Sequence, residues 1–193
     1  FATEEYGVTH FILDDGFQHR RARRDLDIVC IDATDPFGGG KMLPAGRLRE
    51  PLENLKRADV IVITRTNLAK NVEEVKSQIA KYNSHCHLFT ASTKMGEMTL
   101  LKKFLSFDKD VEVRMPAIDL ARLANSSAYA FCGIGNPGSF FGQLKLDNFD
   151  IAGEVAFADH HMYTAKDIAG LAKKAREAGA GYLLTTSKDA MKL

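Results

Sequence analysis

The stretch "HFILDDGFQHRRARRDLDIVCID", residues 10–32, decides the reading of this chain. An apolar run ends in two adjacent carboxylates, Asp14 and Asp15; a Gly, a Gln, a His and four Arg follow by residue 24, and a second apolar run begins at Leu26. The runs "VTHFIL" (8–13), "LDIVCID" (26–32) and "DVIVITR" (59–65) are short and rich in Val and Ile, which predicts strands buried on both faces of a mainly parallel sheet. Ligands of open α/β sheets bind outside the carboxyl ends of the strands, so a strand closing on Asp14 and Asp15 predicts a site there. Hard carboxylate oxygens suit Mg²⁺, which takes one or two of them together with phosphate oxygens and water. Asp-Asp-Gly is also ordinary turn chemistry, since Asp bonds to its own backbone and Gly accepts positive φ. The neighbours favour a site: Gln18 and His19 add donors and acceptors, and Arg20, Arg21, Arg23 and Arg24 suit phosphate or another acidic group.

Working outward, the loop "ATDPFGGGKMLPAGRLRE" leads to "PLENLKRA", a short helix expected with Pro51 at its first position. Gly38–Gly40 imitate a phosphate cradle, but no Gly-Lys-Ser or Gly-Lys-Thr follows, so Lys41 is not a Walker A lysine and the loop reads as mobile. "NVEEVKSQIAKYN" (71–83) has helical apolar spacing with Asn71 as cap, and "HCHLFTAS" reads as a further strand. The character changes over residues 92–126, where a β-ribbon or connector is expected. A second α/β unit then follows: strand "SAYAFCGIG", a helix capped by Asn136 with Pro137 at N1, strand "FDIAGEVAFAD", a helix from Thr164 to Gly179, and a last strand with "TTSKDA" behind it. In "TTSKDA", Ser187 is the expected cap, and Lys188 and Asp189 read as structural. The domain expectation is therefore 1–91, a linker at 92–126, and 127–193.

With 193 residues, 45% hydrophobic and 26% charged, the chain holds enough apolar surface for a real core. A net charge of +1 gives no global field for nucleic acid or an anionic membrane, so charged partners are met locally. Cys30, Cys86 and Cys132 lack metal-ligand spacing; no disulfide framework is expected, and those inside apolar runs read as buried, reduced thiols. No apolar stretch reaches the ~18–20 residues of a membrane span.

The motifs "DDGFQHRR", "RDLDIVCID", "LPAGRLREPL", "LKRADVIVITR", "GIGNPGSFF", "FADHHMYT" and "LLTTSKDAMKL" stand in an order and spacing that resemble the tetraacyldisaccharide 4'-kinases of lipid A biosynthesis. The resemblance implies a P-loop kinase-like core, present in part, with a second, smaller α/β lobe joined by a β-ribbon. It also implies transfer of the γ-phosphate of ATP, with Mg²⁺, to the 4'-hydroxyl of a tetraacylated glucosamine disaccharide 1-phosphate. The implied setting is peripheral, at the cytoplasmic face of the bacterial inner membrane, with no nucleic acid partner.

Residue by residue, the resemblance makes Asp14 and Asp15 the acidic pair at the metal, with Asp15 also catalytic. Gln18, Arg49 and Glu50 become nucleotide-side residues, where Arg49 pairs a phosphate and Glu50 orients it. Asp159 and His160 form a pair in which the carboxylate raises the basicity of the imidazole that handles the proton of the 4'-hydroxyl. His160 is favoured over His161. Glu50 beside Pro51 also has a plain reading as a favourable charge at a helix N-terminus. The family's Gly-rich P-loop, its acceptor-side Asp and its membrane-contacting helix lie upstream of the DDGFQH motif. An N-terminal portion and a C-terminal tail are thus expected to be missing, and the 193 residues alone are expected to be inactive. Two alternatives compete: a Mg²⁺-dependent phosphohydrolase, which needs Asp-x-Asp where this chain has Asp14-Asp15, and a nucleotide- or RNA-binding module, which needs more positive charge or interleaved aromatics.

Overall fold

The computed structural model describes residues 2–96, 98, 99, 101 and 126–193. The chain divides into two compact units, Phe1–Ser92 and Thr93–Leu193. The architecture is α/β, and both sheets are parallel.

After a short helix α1 (Ala2–Tyr6), the first unit builds a sheet in the order β1 (Ile28–Asp32), β2 (Val60–Thr64), β3 (His87–Thr90). Cys30 stands opposite Val62 and Val62 opposite Phe89, so these three share a face, and Ile31, Ile61 and Ile63 share the other. That second face is the core: Ile61 and Ile63 are fully buried against Leu55, Ala58, Val75 and Ile79. Val75 and Ile79 come from α2 (Val72–Tyr82), whose first turn is capped by Asn71 accepting the Glu74 N–H at 3.1 Å. At its far end the buried Asn83 amide donates to Leu55 O and Ala58 O, both at 2.9 Å, and its oxygen accepts from the His85 and Cys86 N–H groups. One side chain thereby fastens the helix end to the 3₁₀ turn Leu52–Arg57, which replaces the α-helix expected there, with Pro51 at its N-cap.

Two expectations fail in this unit. Residues 8–13 form no strand: they have no ladder partner among the described residues, and Phe11, Ile12 and Leu13 are 72%, 96% and 52% exposed. Strand propensity alone does not order a segment whose backbone groups lack a neighbouring strand. Cys30 is exposed, not buried, because it lies on the apolar face that α2 does not cover. The Gly38–Gly40 loop is bonded to itself, through Gly40 N–H to Phe37 O, Arg47 N–H to Gly38 O and an Asp35–Arg47 ion pair at 2.9 Å.

In the second unit the order is β5 (Ile151–Ala156), β4 (Ala128–Cys132), β6 (Tyr182–Leu184). All five residues of β4 are buried. Ala130 and Cys132 face Phe140, Phe141 and Leu144 of α3 (Pro137–Leu146); Tyr129 and Phe131 face Leu171 and Ala175 of α4 (Ala165–Glu177). Both helices start where the sequence says, α3 at the Asn136 cap with Pro137 behind it and α4 at a capping box between Thr164 and Asp167. The last helix, α5 (Ser187–Ala190), is capped by Thr186, not Ser187. The ribbon expected within 92–126 lies mostly outside the described residues.

Candidate functional site

The DDGFQH motif folds as a tight turn. Asp15 takes left-handed φ 54°, ψ 29° and is followed by a 3₁₀ turn, Gly16–Gln18. A Cβ at Gly16 would come within 2.7 Å of the Leu13 side chain, which would have to shift to admit it. The turn is brought to the LREP motif twice. Asp15 Oδ2 accepts from Arg49 at 2.5 Å, between two exposed side chains. Such a pair contributes little to stability in water, so it is better read as two charges available to a ligand. Deeper in, Arg57 donates to Phe17 O at 3.3 Å, lies 4.2 Å above the Phe17 ring, and pairs with Glu50, which also accepts from Asn54 at 3.0 Å. Glu50 is thus fixed by Arg57, a residue that the sequence reading passed over although it stands inside the quoted "LKRAD".

Asp14 is exposed, and Gln18, His19, Arg20 and Arg21 line an open hollow of about 590 Å³ together with Leu13 and Ala22. Arg24 does not belong to that set. It holds Asp27 at 2.7 Å and the His19 carbonyl at 2.6 Å, stapling the turn. Asp32, at the carboxyl end of β1, pairs with Arg65 at 2.7 Å. Among the described residues no three His, Cys, Asp or Glu side chains gather as a closed metal cage. Mg²⁺ takes one or two carboxylates and is completed by phosphates and water, and the exposed Asp14 and Asp15 fit it by donor type.

In the second unit the three remaining motifs occupy the loops at the carboxyl ends of the three strands: Gly133–Asn136 after β4, Phe157–Thr164 after β5, and Thr185–Thr186 after β6. Asp159 Oδ1 accepts the His160 N–H at 3.0 Å, its Oδ2 lies 3.7 Å from His160 Nε2, and Lys188 Nζ lies 3.9 Å from Oδ1. His160 has φ 60° and an exposed side chain. A non-glycine residue in the left-handed region is strained by about 1–3 kcal/mol, and such strain gathers at functional sites. His161 is different. It is half-buried, stacked on Phe157 at 4.6 Å, edge-on to Tyr163, with Nε2 3.2 Å from Asp167 of the capping box. Its contacts tie the loop to α4, while the imidazole of His160 is open to a reactant.

Beneath this turn lies Asp189, fully buried. Burial raises a carboxyl, but hydrogen bonds from Gly133 N–H, the Thr186 hydroxyl and Lys192, with the charge of Lys192, outweigh it and hold Asp189 below the ordinary carboxylate range. Burial, with the Asp189 charge, pushes the Tyr163 phenol well up, and burial raises the Cys132 thiol to about 11, leaving both neutral.

The family profile described as LpxK, tetraacyldisaccharide-1-P 4'-kinase, matches residues 1–193. A tetraacyldisaccharide 4'-kinase of Halothermothrix orenii is 35% identical over 99% of this chain and 50% of its own length, and one of Syntrophobacter fumaroxidans is 39% identical over 94% and 45%. A crystal structure of LpxK from Aquifex aeolicus in complex with ATP superposes with TM-score 0.56 at 29% identity, over all of this chain and 51% of that one. The chain spans about half the length of the curated relatives it matches. It belongs to the tetraacyldisaccharide 4'-kinase family.

Proposed function

We propose that the protein containing this chain transfers the γ-phosphate of ATP to the 4'-hydroxyl of a tetraacylated glucosamine disaccharide 1-phosphate. The observation that carries the reading is the match of the family profile over all 193 residues, with the DDGFQH and LREP motifs joined by the Asp15–Arg49 pair. Asp14 and Asp15 would hold Mg²⁺, which when bound neutralises phosphate charge. Arg49 exchanges its contact with Asp15 for a phosphate oxygen, a donor already at the right turn. Gln18 lines the adjoining hollow and orients phosphate or water by hydrogen bonds. Glu50, clamped by Arg57, keeps the start of the 3₁₀ turn in place beside Arg49. His160 takes the proton of the acceptor hydroxyl, and Asp159, whose carboxylate is within ion-pair range of its Nε2, stabilises the imidazolium so formed.

The acceptor is a lipid, and among the described residues no helix is long and apolar enough to cross a membrane. From membership of the family we infer peripheral work at the cytoplasmic face of the inner membrane. Nothing among the related proteins favours a phosphohydrolase or an RNA-binding module. The test is turnover of the lipid acceptor with ATP and Mg²⁺ by the protein as its gene encodes it. Asp15→Ala should abolish turnover with the fold intact and Asp14→Ala should impair it severely; wild-type rates for both would remove the acidic pair from the mechanism.

A further inference from the structure

We propose that Asp189 is a positioning residue for His160, acting through the backbone of Gly133; the proposal rests on the reading of His160 as the proton-handling group. Asp189 is 0% exposed. An ion pair in such a place is weak evidence of a stabilising role, since apolar residues of the same volume often do as well, whereas a buried carboxylate specifies geometry when all its hydrogen bonds are made. Its partners show what is specified. Oδ2 accepts from Gly133 N–H at 3.0 Å and from the Thr186 hydroxyl at 2.8 Å, and Oδ1 accepts from Lys192 Nζ at 3.0 Å. One carboxylate thus joins the loop after β4 to the loop after β6.

The constraint passes on through a single residue. The N–H of Gly133 is held by Asp189, and its carbonyl accepts the His160 N–H at 3.2 Å. Gly133 also lies hard against the loop after β5: a Cβ there would be 3.1 Å from Ala158 O, 3.2 Å from His161 Cβ and 3.2 Å from Tyr163 Oη. The N–H and the carbonyl of Gly133 belong to two successive peptide planes joined at its Cα, so loss of the contact with Asp189 loosens the backbone from which the carbonyl reaches His160. His160 in turn needs holding, because its φ of 60° is unfavourable for a side chain with a Cβ, and its N–H is shared between Gly133 O and Asp159 Oδ1. Removing the carboxylate leaves the Gly133 N–H buried and unpaired, loosens the backbone at Gly133, and lets His160 relax toward ordinary backbone angles. Misplacing a proton-handling group by a fraction of an ångström lowers the chemical step and leaves nucleotide affinity alone.

The experiment is a double-mutant cycle in the protein as its gene encodes it, with amide exchange measured beside it. Asp189→Ala should lower kcat roughly 10–100-fold with KM for ATP within about twofold, and add no further loss in the His160→Ala background. Asp189→Asn, which keeps an acceptor for Gly133 N–H, should lose less than Ala, and it carries the same cycle should Asp189→Ala fail to fold. Exchange at the His160 amide should rise at least roughly tenfold in either variant while the amides of Leu171 and Ala175 in α4 stay protected. An equal loss of kcat with and without His160, or unchanged exchange at His160, would overturn the proposal. Should His160→Ala turn over at the wild-type rate, the proton-handling reading fails by itself, and exchange at His160 still decides whether Asp189 positions that turn.

Discussion

β2 and β4 are both central strands of three-stranded parallel sheets, yet β4 is buried at every position whereas β2 is flanked on one face by exposed apolar side chains, Ile28 at 56% and Phe89 at 57%. The difference follows from strand order. In β1-β2-β3 the chain steps in one direction, so right-handed connections place the Leu52–Arg57 turn and α2 on the same face, where Leu55, Val75 and Ile79 meet Ile61 and Ile63. In β5-β4-β6 the direction reverses at β4, so α3 and α4 fall on opposite faces and cover both. Such a reversal is also where α/β sheets bind ligands, and the Gly133 and Asp159–His160 loops stand at that edge. The supports of the two sets of site residues differ in the same way: Asp15 is held by an exposed ion pair, His160 by a turn resting on a buried carboxylate.

The largest expected effect contrasts two neighbours. His160→Ala should lower kcat by roughly 10²–10⁴-fold with KM for ATP little changed. His161→Ala should leave turnover nearly intact and lower thermal stability instead, because its ring is packed on Phe157 and Asp167. The reverse pattern in steady-state kinetics would exchange their roles.

The packing contrast is tested by one substitution made twice in the 193-residue polypeptide. Phe131→Ala, at 2% exposure, should cost about 3–5 kcal/mol by denaturant unfolding, and Phe89→Ala under about 1 kcal/mol. Comparable costs would show that the face bearing Cys30 and Phe89 is covered after all. Repeating Phe89→Ala in the gene-encoded protein sharpens the point, since a cost above about 2 kcal/mol there identifies further chain packed on that face.

A smaller effect concerns acid. The carboxyl of Asp189 is held below its unfolded value, so its contribution to stability is present above that value, about pH 4, and is lost as pH falls toward the folded one. Denaturation of the second unit as pH falls below about 4 should therefore flatten in Asp189→Asn, with less stability at pH 7 and less to lose in acid. An unchanged acid limb would show that Asp189 does not govern it.

What the sequence disclosed were features written in adjacent residues. The Asn136–Pro137 start of α3, the Thr164–Asp167 capping box and the Val- and Ile-rich strands β1 and β2 each carry their own local signal. What it hid depends on partners far along the chain. "VTHFIL" has the composition of a strand, but a strand exists only beside another, and none pairs with it among the described residues. Arg57 carries no local signal of its role, which comes from its contacts with Phe17 and Glu50. Asp189 read as merely structural behind the expected Ser187 cap because its decisive contact, Gly133, is remote in sequence.

The most direct measurement of the central claim follows γ-labelled ATP with the gene-encoded protein, Mg²⁺ and a tetraacylated disaccharide 1-phosphate, and locates the label by mass and ³¹P spectroscopy. The account predicts label on the 4'-oxygen of the acceptor, one per ADP formed, and none transferred by Asp15→Ala. Label released as inorganic phosphate with the acceptor unchanged would contradict it.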